Sequence, residues 1–302
     1  MGYPSRGILY VASGTKYRDE AIISARSIKA VWPDVPLAII TDHPVDTDIF
    51  DIVQIAAMQG DNIDKVRNIS RSPFFERTIL LDTDTYCLLP FPELFDLLDQ
   101  FQLAAALDVS RFSECWEPLT GKHVFIQTEG VPECFIEFNT GVIAFRNEAD
   151  VLRVFEQWLA ACLDSRRAAI PHGQDQPSFR KVIYHSHLRI ATLPSEYCFR
   201  LHTPDYARTA VKILHGRWTY SDLGPEPEGV HARLGRVINK TLGTRTLVHA
   251  FGIISGHGPY CIPLNDQHEQ LELVYKEEPV QPPRFGCLRR LFRCSLASKE
   301  QR

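Results

Sequence analysis

Apolar and polar residues alternate along this chain in blocks that switch between two periods. Gly7–Ala12 is a continuous apolar run, as expected of a strand covered on both faces. Ser13-Gly14-Thr15 interrupts it. Ala21, Ala25, Ile28 and Trp32 then recur at helical spacing and predict one buried helix face. Pro33 and Pro36 end that helix, and Leu37–Thr41 supplies a second buried strand. Strand, helix and strand joined by short connections predict a right-handed βαβ unit, hence an α/β fold around a parallel sheet.

The pattern continues with a third strand at Thr78–Leu81, a helix opened by Pro92, an apolar run at Leu103–Leu107 and a loop-like stretch over 110–130. Phe138–Phe145 reads as a further strand. Val151, Val154, Phe155, Trp158 and Cys162 mark the strongest helical stripe. Val211–Leu214 predicts a short strand ending at His215-Gly216. Residues 221–245 are polar and rich in Gly and Pro, with a short helix expected near 230–241. The chain divides into a main domain over 1–276 and a tail over 277–302. In that tail Arg284, Arg289, Arg290, Arg293 and Lys299 flank Phe285, Leu288, Leu291 and Phe292. Such a basic amphipathic segment suits peripheral contact with an anionic membrane surface, and a docked or unstructured tail is the other reading.

The chemistry concentrates where the third strand ends, in Asp82-Thr83-Asp84. Two carboxylates one residue apart at the end of a buried strand lie at the carboxyl edge of the sheet, where open α/β sheets bind their ligands. Carboxylates are hard oxygen ligands suited to Mg²⁺ or Mn²⁺, which bridge protein to phosphate oxygens. Two other uses of an Asp-x-Asp pair stay open. A haloacid-dehalogenase-like phosphatase wants Asp-x-Asp-x-Thr after the first strand, and the fifth position here is Tyr86. A non-catalytic sugar-nucleotide binder of the same fold has less need of a leaving-group metal.

Five blocks in order extend beyond that pair: ILYVASGTKYRDEAIISARSIKA, SPFFERTILLDTDTYCL, EFNTGVIAFRN, GQDQPSFRKVIY and VKILHG. Over 7–216 the sequence resembles the GT-A fold nucleotide-diphospho-sugar transferases, particularly the family-8 group of bacterial galactosyltransferases and glycogenin. The resemblance implies a metal-dependent hexosyltransferase with a mostly parallel central sheet and helices on both faces. Its donor would be a nucleotide sugar, a UDP-sugar in this family, and its acceptor a glycan or lipid-linked glycan. Asp82, Asp84 and His215 are the implied ligands of Mn²⁺ or Mg²⁺, with Gly216 allowing close approach to the diphosphate. Tyr17 falls where the family stacks a ring on uracil, and Ala12 and Ser13 offer backbone groups to the nucleoside. Thr83 lies between the metal carboxylates. Lys65 or Arg67 stands where a basic residue contacts the donor, a solvated helix face being the alternative for each. Asn139 and Gly141 resemble the block lining the donor sugar, and Asp175 and Gln176 the block facing the transferred sugar. The family's Lys-Pro-Trp after the metal His-Gly is here Arg217-Trp218, which leaves Arg217 as the expected diphosphate cation.

Composition narrows this reading. A net charge of −4 gives no reason to expect nucleic acid. Eight cysteines, mostly in apolar stretches and without any CxxC, predict buried free thiols and suit a reducing compartment. No run approaches the ~20 apolar residues of a membrane helix, and the start lacks a secretory signal pattern. The expectation is a cytoplasmic protein, peripheral at the inner face of a membrane if the tail binds there. His185-Ser186-His187 would point both rings to one side of a strand. No G-x-S-x-G or G-x-G-x-x-G is present, which argues against a serine hydrolase and a dehydrogenase.

Overall fold

The structure, a computed structural model, describes residues 4–109, 111–117, 122–126, 128–167, 175–200, 205–207, 209–216 and 246–248. Its elements run β1 (Arg6–Ala12), α1 (Gly14–Val31), β2 (Leu37–Thr41), β3 (Ile52–Ile55), α2 (Asp64–Asn68), β4 (Arg77–Leu81), β5 (Thr85–Cys87) and α3 (Glu93–Leu97). There follow β6 (Leu103–Leu107), β7 (Glu114–Glu117), β8 (Lys122–Phe125), β9 (Phe138–Arg146), α4 (Ala149–Arg167), α5 (Asp175–His185), β10 (Ile190–Leu193), β11 (Phe199–Arg200), β12 (Asp205–Ala207), β13 (Ile213–His215) and β14 (Thr246–Val248).

Seven strands form the central sheet in the order β10-β6-β9-β4-β1-β2-β3. The pairings β10–β6, β4–β1, β1–β2 and β2–β3 are parallel, and β9 alone runs antiparallel to both its neighbours. Side chains alternate across the strands as the period of two requires. Ile8, Tyr10, Leu37, Ile39, Ile79, Leu81, Val142 and Ala144 face a core shared with α1 and α3. Leu9, Ala38, Ile40, Leu80, Ile143 and Phe145 face a second core under α2, α4 and α5. Each fully buried large side chain contributes roughly 1.5–3 kcal/mol of burial free energy. Three-layer packing therefore explains why β1, β2, β4 and β9 read as unbroken apolar runs. The α/β architecture expected from the sequence, a mostly parallel central sheet with helices on both faces, is the one observed.

Several elements depart from the expectation. Ile52–Ile55 is an edge strand with Val53 and Ile55 exposed at 41% and 54%, so no apolar run announced it. It makes the Asp82-Thr83-Asp84 strand fourth rather than third. Residues 110–130 contain the β7–β8 hairpin. His185 ends helix α5, and Ser186 and His187 follow outside any strand, so the proposed same-side pair of rings does not form. The helix expected near 230–241, Arg217 and the tail from 277 lie outside the described residues. Of the cysteines, Cys87, Cys162 and Cys198 are buried free thiols and Cys134 is exposed. Among the described residues no helix is long and apolar enough to cross a membrane.

Two small features aim the main layers at one place. β5 pairs antiparallel with β13, which pairs parallel with β11, and this second sheet brings Thr85 opposite His215. Trp158 of α4, fully buried, donates its indole N–H to the Asp175 carbonyl (2.9 Å) and packs on Phe179 with centroids 4.6 Å apart. That contact fixes the first turn of α5 against α4.

Candidate active site

Asp82 follows β4, and its backbone N–H donates to the Gly141 carbonyl of β9 (2.8 Å), which carries the sheet one position beyond the strand. The turn into β5 is tied to α1 by hydroxyls. Thr85 Oγ1 donates to the Asp82 carbonyl, Ser24 Oγ bonds Thr85 Oγ1 at 2.8 Å, and Tyr10 bonds Ser24 at 2.7 Å. Thr83 turns away from its neighbours and donates to Glu20 Oε2 (2.9 Å). Its side chain therefore braces the turn on α1, and the two flanking aspartates face the cleft. Gly216, at φ +135°, donates its N–H to the Asp84 carbonyl (3.0 Å), a backbone conformation that favours glycine.

This arrangement brings together Asp82, Asp84 and His215, whose ligand atoms lie within 4.8 Å of one another. His215 Nε2 stands 3.6 Å from Asp82 Oδ2 and 3.4 Å from Asp84 Oδ1. Two carboxylates and an imidazole are a donor set that fits a divalent cation, Mn²⁺ in particular accepting nitrogen as well as oxygen. A second observation supports the fit. A Cβ built on Gly141 would lie 2.1 Å from His215 Cε1 and 2.6 Å from both ring nitrogens. Gly141, expected to line a sugar, leaves the space that admits the imidazole.

The other sequence-predicted residues divide clearly. Lys65, on α2, reaches Asp82 Oδ1 (2.8 Å) and Asp175 Oδ2 (2.9 Å) and donates to the Thr140 carbonyl (3.2 Å). Burial disfavours its charge, but Asp175 and Asp82 outweigh that and hold its pKa above the usual lysine value. Burial likewise pushes Asp82 up, while Lys65 and His215 overcome it and leave the carboxyl below its ordinary range. Asp175 also accepts from Thr140 Oγ1 (2.6 Å). Arg67, by contrast, pairs with Asp61 and Asp64 and donates to Gln59 Oε1, holding the loop before α2. Gln176 and Asn139 belong to one polar knot. Asn139 Nδ2 donates to Asp108 Oδ2 (2.9 Å) and Gln176 Oε1 (3.1 Å), and Gln176 Nε2 donates to Asp108 Oδ2 (3.2 Å). Tyr17 and Ser13 line, with Lys65, Asp82, Thr83, Asp84 and Asp175 among others, an open cleft of about 190 Å³, so Thr83 borders the cleft while its hydroxyl is held by Glu20. Ala12 is buried beside Ser13 at the end of β1.

Three groups at the site were not singled out by the sequence. Asp108 follows β6 as Asp82 follows β4, and that shared signal, an apolar run ended by a carboxylate, identifies it in retrospect. Cys198 and Arg200 lie in a stretch without periodicity. Cys198 Sγ is 3.3 Å from both His215 Nδ1 and Asn139 Oδ1, and Arg200 Nη1 is 3.2 Å from the same Nδ1. Burial opposes charge on the His215 ring, whereas the Cys198 sulfur and Asp84 favour it, Arg200 opposes it and Asp82 favours it, with a net upward pull. A charged ring, however, would turn an N–H at Nδ1 against a guanidinium that has only donors. The hydrogen-bond geometry decides, so Nδ1 accepts from Arg200 and the ring proton sits on Nε2, facing the carboxylates.

Comparison with solved structures now bears on the arrangement. The chain is similar to the galactosyltransferase LgtC, crystallised with donor and acceptor sugar analogues, at a TM-score of 0.50 and 12% identity over 79% of this chain and 96% of that one. The chain has the GT-A fold. At that identity the likeness is one of fold alone. WbbM, a bifunctional glycosyltransferase, aligns at 0.49 with 14% identity over 72% of this chain and 47% of its own. An active-site mutant of LgtC aligns at 0.48 with 13% identity over 79% and 96%. No family model and no curated protein matches the sequence.

Proposed function

We propose that this protein is a glycosyltransferase that moves a hexose from a nucleoside-diphosphate sugar, a UDP-sugar by family resemblance, to a glycan or lipid-linked glycan. The observation that carries the reading is the Asp82, Asp84 and His215 set at the carboxyl edge of a GT-A sheet, completed by a glycine that leaves room for the imidazole. Asp82, Asp84 and His215 would hold a divalent ion, Mn²⁺ on grounds of the nitrogen donor, which would supply positive charge to the leaving nucleoside diphosphate.

The chain's own residues divide the remaining work. Tyr17 offers a ring to the base, and Ala12 and Ser13 offer backbone groups to the nucleoside at the end of β1. Lys65 keeps Asp82 ionised. The Asp108, Asn139 and Gln176 knot presents a carboxylate and two amides to sugar hydroxyls, a pattern suited to polar recognition. Asp175 is occupied by Lys65 and Thr140 and acts in this reading by placing Lys65, leaving Gln176 as the group nearest the transferred sugar. A phosphatase reading fits less well, since its Asp pair belongs after a first strand and here follows β4. Contact of the basic tail with anionic membranes is part of the proposal. Deleting 280–302 is expected to reduce sedimentation with anionic liposomes, and unchanged sedimentation removes that part.

Calorimetric titration of UDP and GDP, with and without Mn²⁺, tests the reading directly. Mn²⁺-dependent UDP binding that is lost in Asp84→Ala supports it and leads to assays of UDP-sugar hydrolysis and transfer. Absence of nucleotide binding under every condition overturns it.

A further inference from the structure

Among the described residues Arg200 is the cation that meets His215 on the side away from the two aspartates, and its surroundings are incomplete. It stands opposite His215 in the β11–β13 pairing, with Nη1 on Nδ1 at 3.2 Å, while its buried Nε has no hydrogen-bond partner. A metal-bound histidine normally donates its second N–H to a carboxylate, carbonyl or water, which fixes the ring. A guanidinium cannot receive that hydrogen, because all its polar hydrogens are donors. A ring that gives its Nε2 lone pair to a metal carries its hydrogen on Nδ1. Coordination at Nε2 and the Arg200 contact at Nδ1 therefore exclude each other.

From this we infer that Arg200 is a two-position residue coupling metal to phosphate, an inference that rests on the function proposed above. In one position it donates to His215 and disfavours coordination. In the other it leaves the ring and makes charge-assisted hydrogen bonds to phosphate oxygens of the nucleoside diphosphate, where a guanidinium is well matched. A partner for the N–H that Nδ1 would then carry is at hand, since Cys198 Sγ lies 3.3 Å from Nδ1 and sulfur is a weak acceptor. Arg200 of β11 thus offers the diphosphate a cation in addition to the one expected of Arg217. Metal and diphosphate then reinforce each other beyond their direct contact, since binding the anion removes the group that opposes the metal.

The test is calorimetry on wild type, Arg200→Gln and Arg200→Lys, titrating Mn²⁺ alone and then UDP in saturating Mn²⁺. Gln retains length and offers an acceptor to Nδ1–H. The coupling predicts opposite changes in Arg200→Gln, with Mn²⁺ affinity in the absence of nucleotide rising about tenfold and UDP affinity falling about tenfold, within the usual range of such couplings. Arg200→Lys, which keeps the charge without the fork, falls between. Matching circular dichroism and melting curves guard against misfolding, which would lower both affinities. Unchanged or weakened Mn²⁺ binding in Arg200→Gln overturns the inference while leaving the transferase reading intact, and unchanged UDP affinity overturns its phosphate limb. Wild-type protein that binds no UDP with Mn²⁺ defeats both.

Discussion

Asp82 leaves the seven-stranded sheet with a cation placed against it, whereas His215 arrives from the three-stranded sheet with a cation placed behind it. Lys65 lies between Asp82 and Asp175 and accepts nothing from either, so charges and hydrogen bonds agree. Arg200 meets His215 at the one ring nitrogen that a metal ligand needs for donation. The carboxylate half of the site is preorganised by complementary charge, a condition that lowers the reorganisation required on binding. The imidazole half is held by a contact that binding must break. Preorganisation in this cleft is uneven, and the unevenness falls along the seam between the two sheets.

The strongest way to break the comparison is Gly141→Ala. The added methyl would occupy the volume of the imidazole, so Mn²⁺ affinity is expected to fall about a hundredfold, the upper range for groups that orient a ligand. Calorimetry measures this, and an unchanged far-UV spectrum confirms that β9 tolerates alanine. Lys65→Met attacks the other half by leaving Asp82 and Asp175 facing each other without their cation. Breaking a buried pair costs roughly 3–5 kcal/mol. The side chains here are 14–24% exposed, so a loss of about 2 kcal/mol in urea unfolding is expected. Thr83→Val removes a hydrogen bond to Glu20 and should cost about 1 kcal/mol while leaving UDP affinity within about twofold. A large loss of UDP affinity with no loss of stability would mean that Thr83, which borders the cleft, touches the donor itself.

Glu137 sharpens the picture through pH. It is fully buried; Ser113 donates through N and Oγ to Oε2, while Oε1 has no partner. Burial, reinforced by Asp108, raises its pKa despite the hydrogen bonds from Ser113. The folded state therefore holds this proton more tightly than the unfolded chain does. The stability it contributes is present below the unfolded value of about 4.3 and is lost as pH rises through the folded value. Glu137→Gln should accordingly gain stability relative to wild type between acid and neutral pH, as read from paired urea curves. The opposite slope would mean the carboxylate is stabilised where it sits. The smallest effect concerns thiols. Brief alkylation of native protein should label Cys134 and spare Cys87, whose pKa burial pushes up to about 12.

The legible parts of the sequence were those where one physical cause acts locally. β1, β2, β4, β9 and α4 announced themselves because burial on both faces, or on one stripe, writes an uninterrupted pattern. The metal set was legible through Asp82 and Asp84 at a strand end, and through the resemblance that joined His215 to them. β3 and β10 are sheet edges, with alternate positions exposed, and carry no such run. His185 and His187 were misread because two residues apart implies a shared side only in a strand, and a helix ends between them. The contact of Gly141 with the imidazole was not legible, since it depends on a side chain arriving 74 positions later from another sheet. Arg200 left no local mark, as its partner is set by strand pairing.

The reversed direction of β9 carries a further consequence. Because it opposes β4 and β6, its opening residues Asn139 and Gly141 meet the residues that close its neighbours, Asp82 and Asp108. The ladder thereby acts as a ruler graduated in steps of two. A slip of one step would keep every apolar side chain of β9 on its proper face, and the domain would still close around its two cores. It would also slide Asn139 or Ile143 beneath the imidazole in place of Gly141, so an outwardly sound fold would contain a centre unable to seat its third ligand.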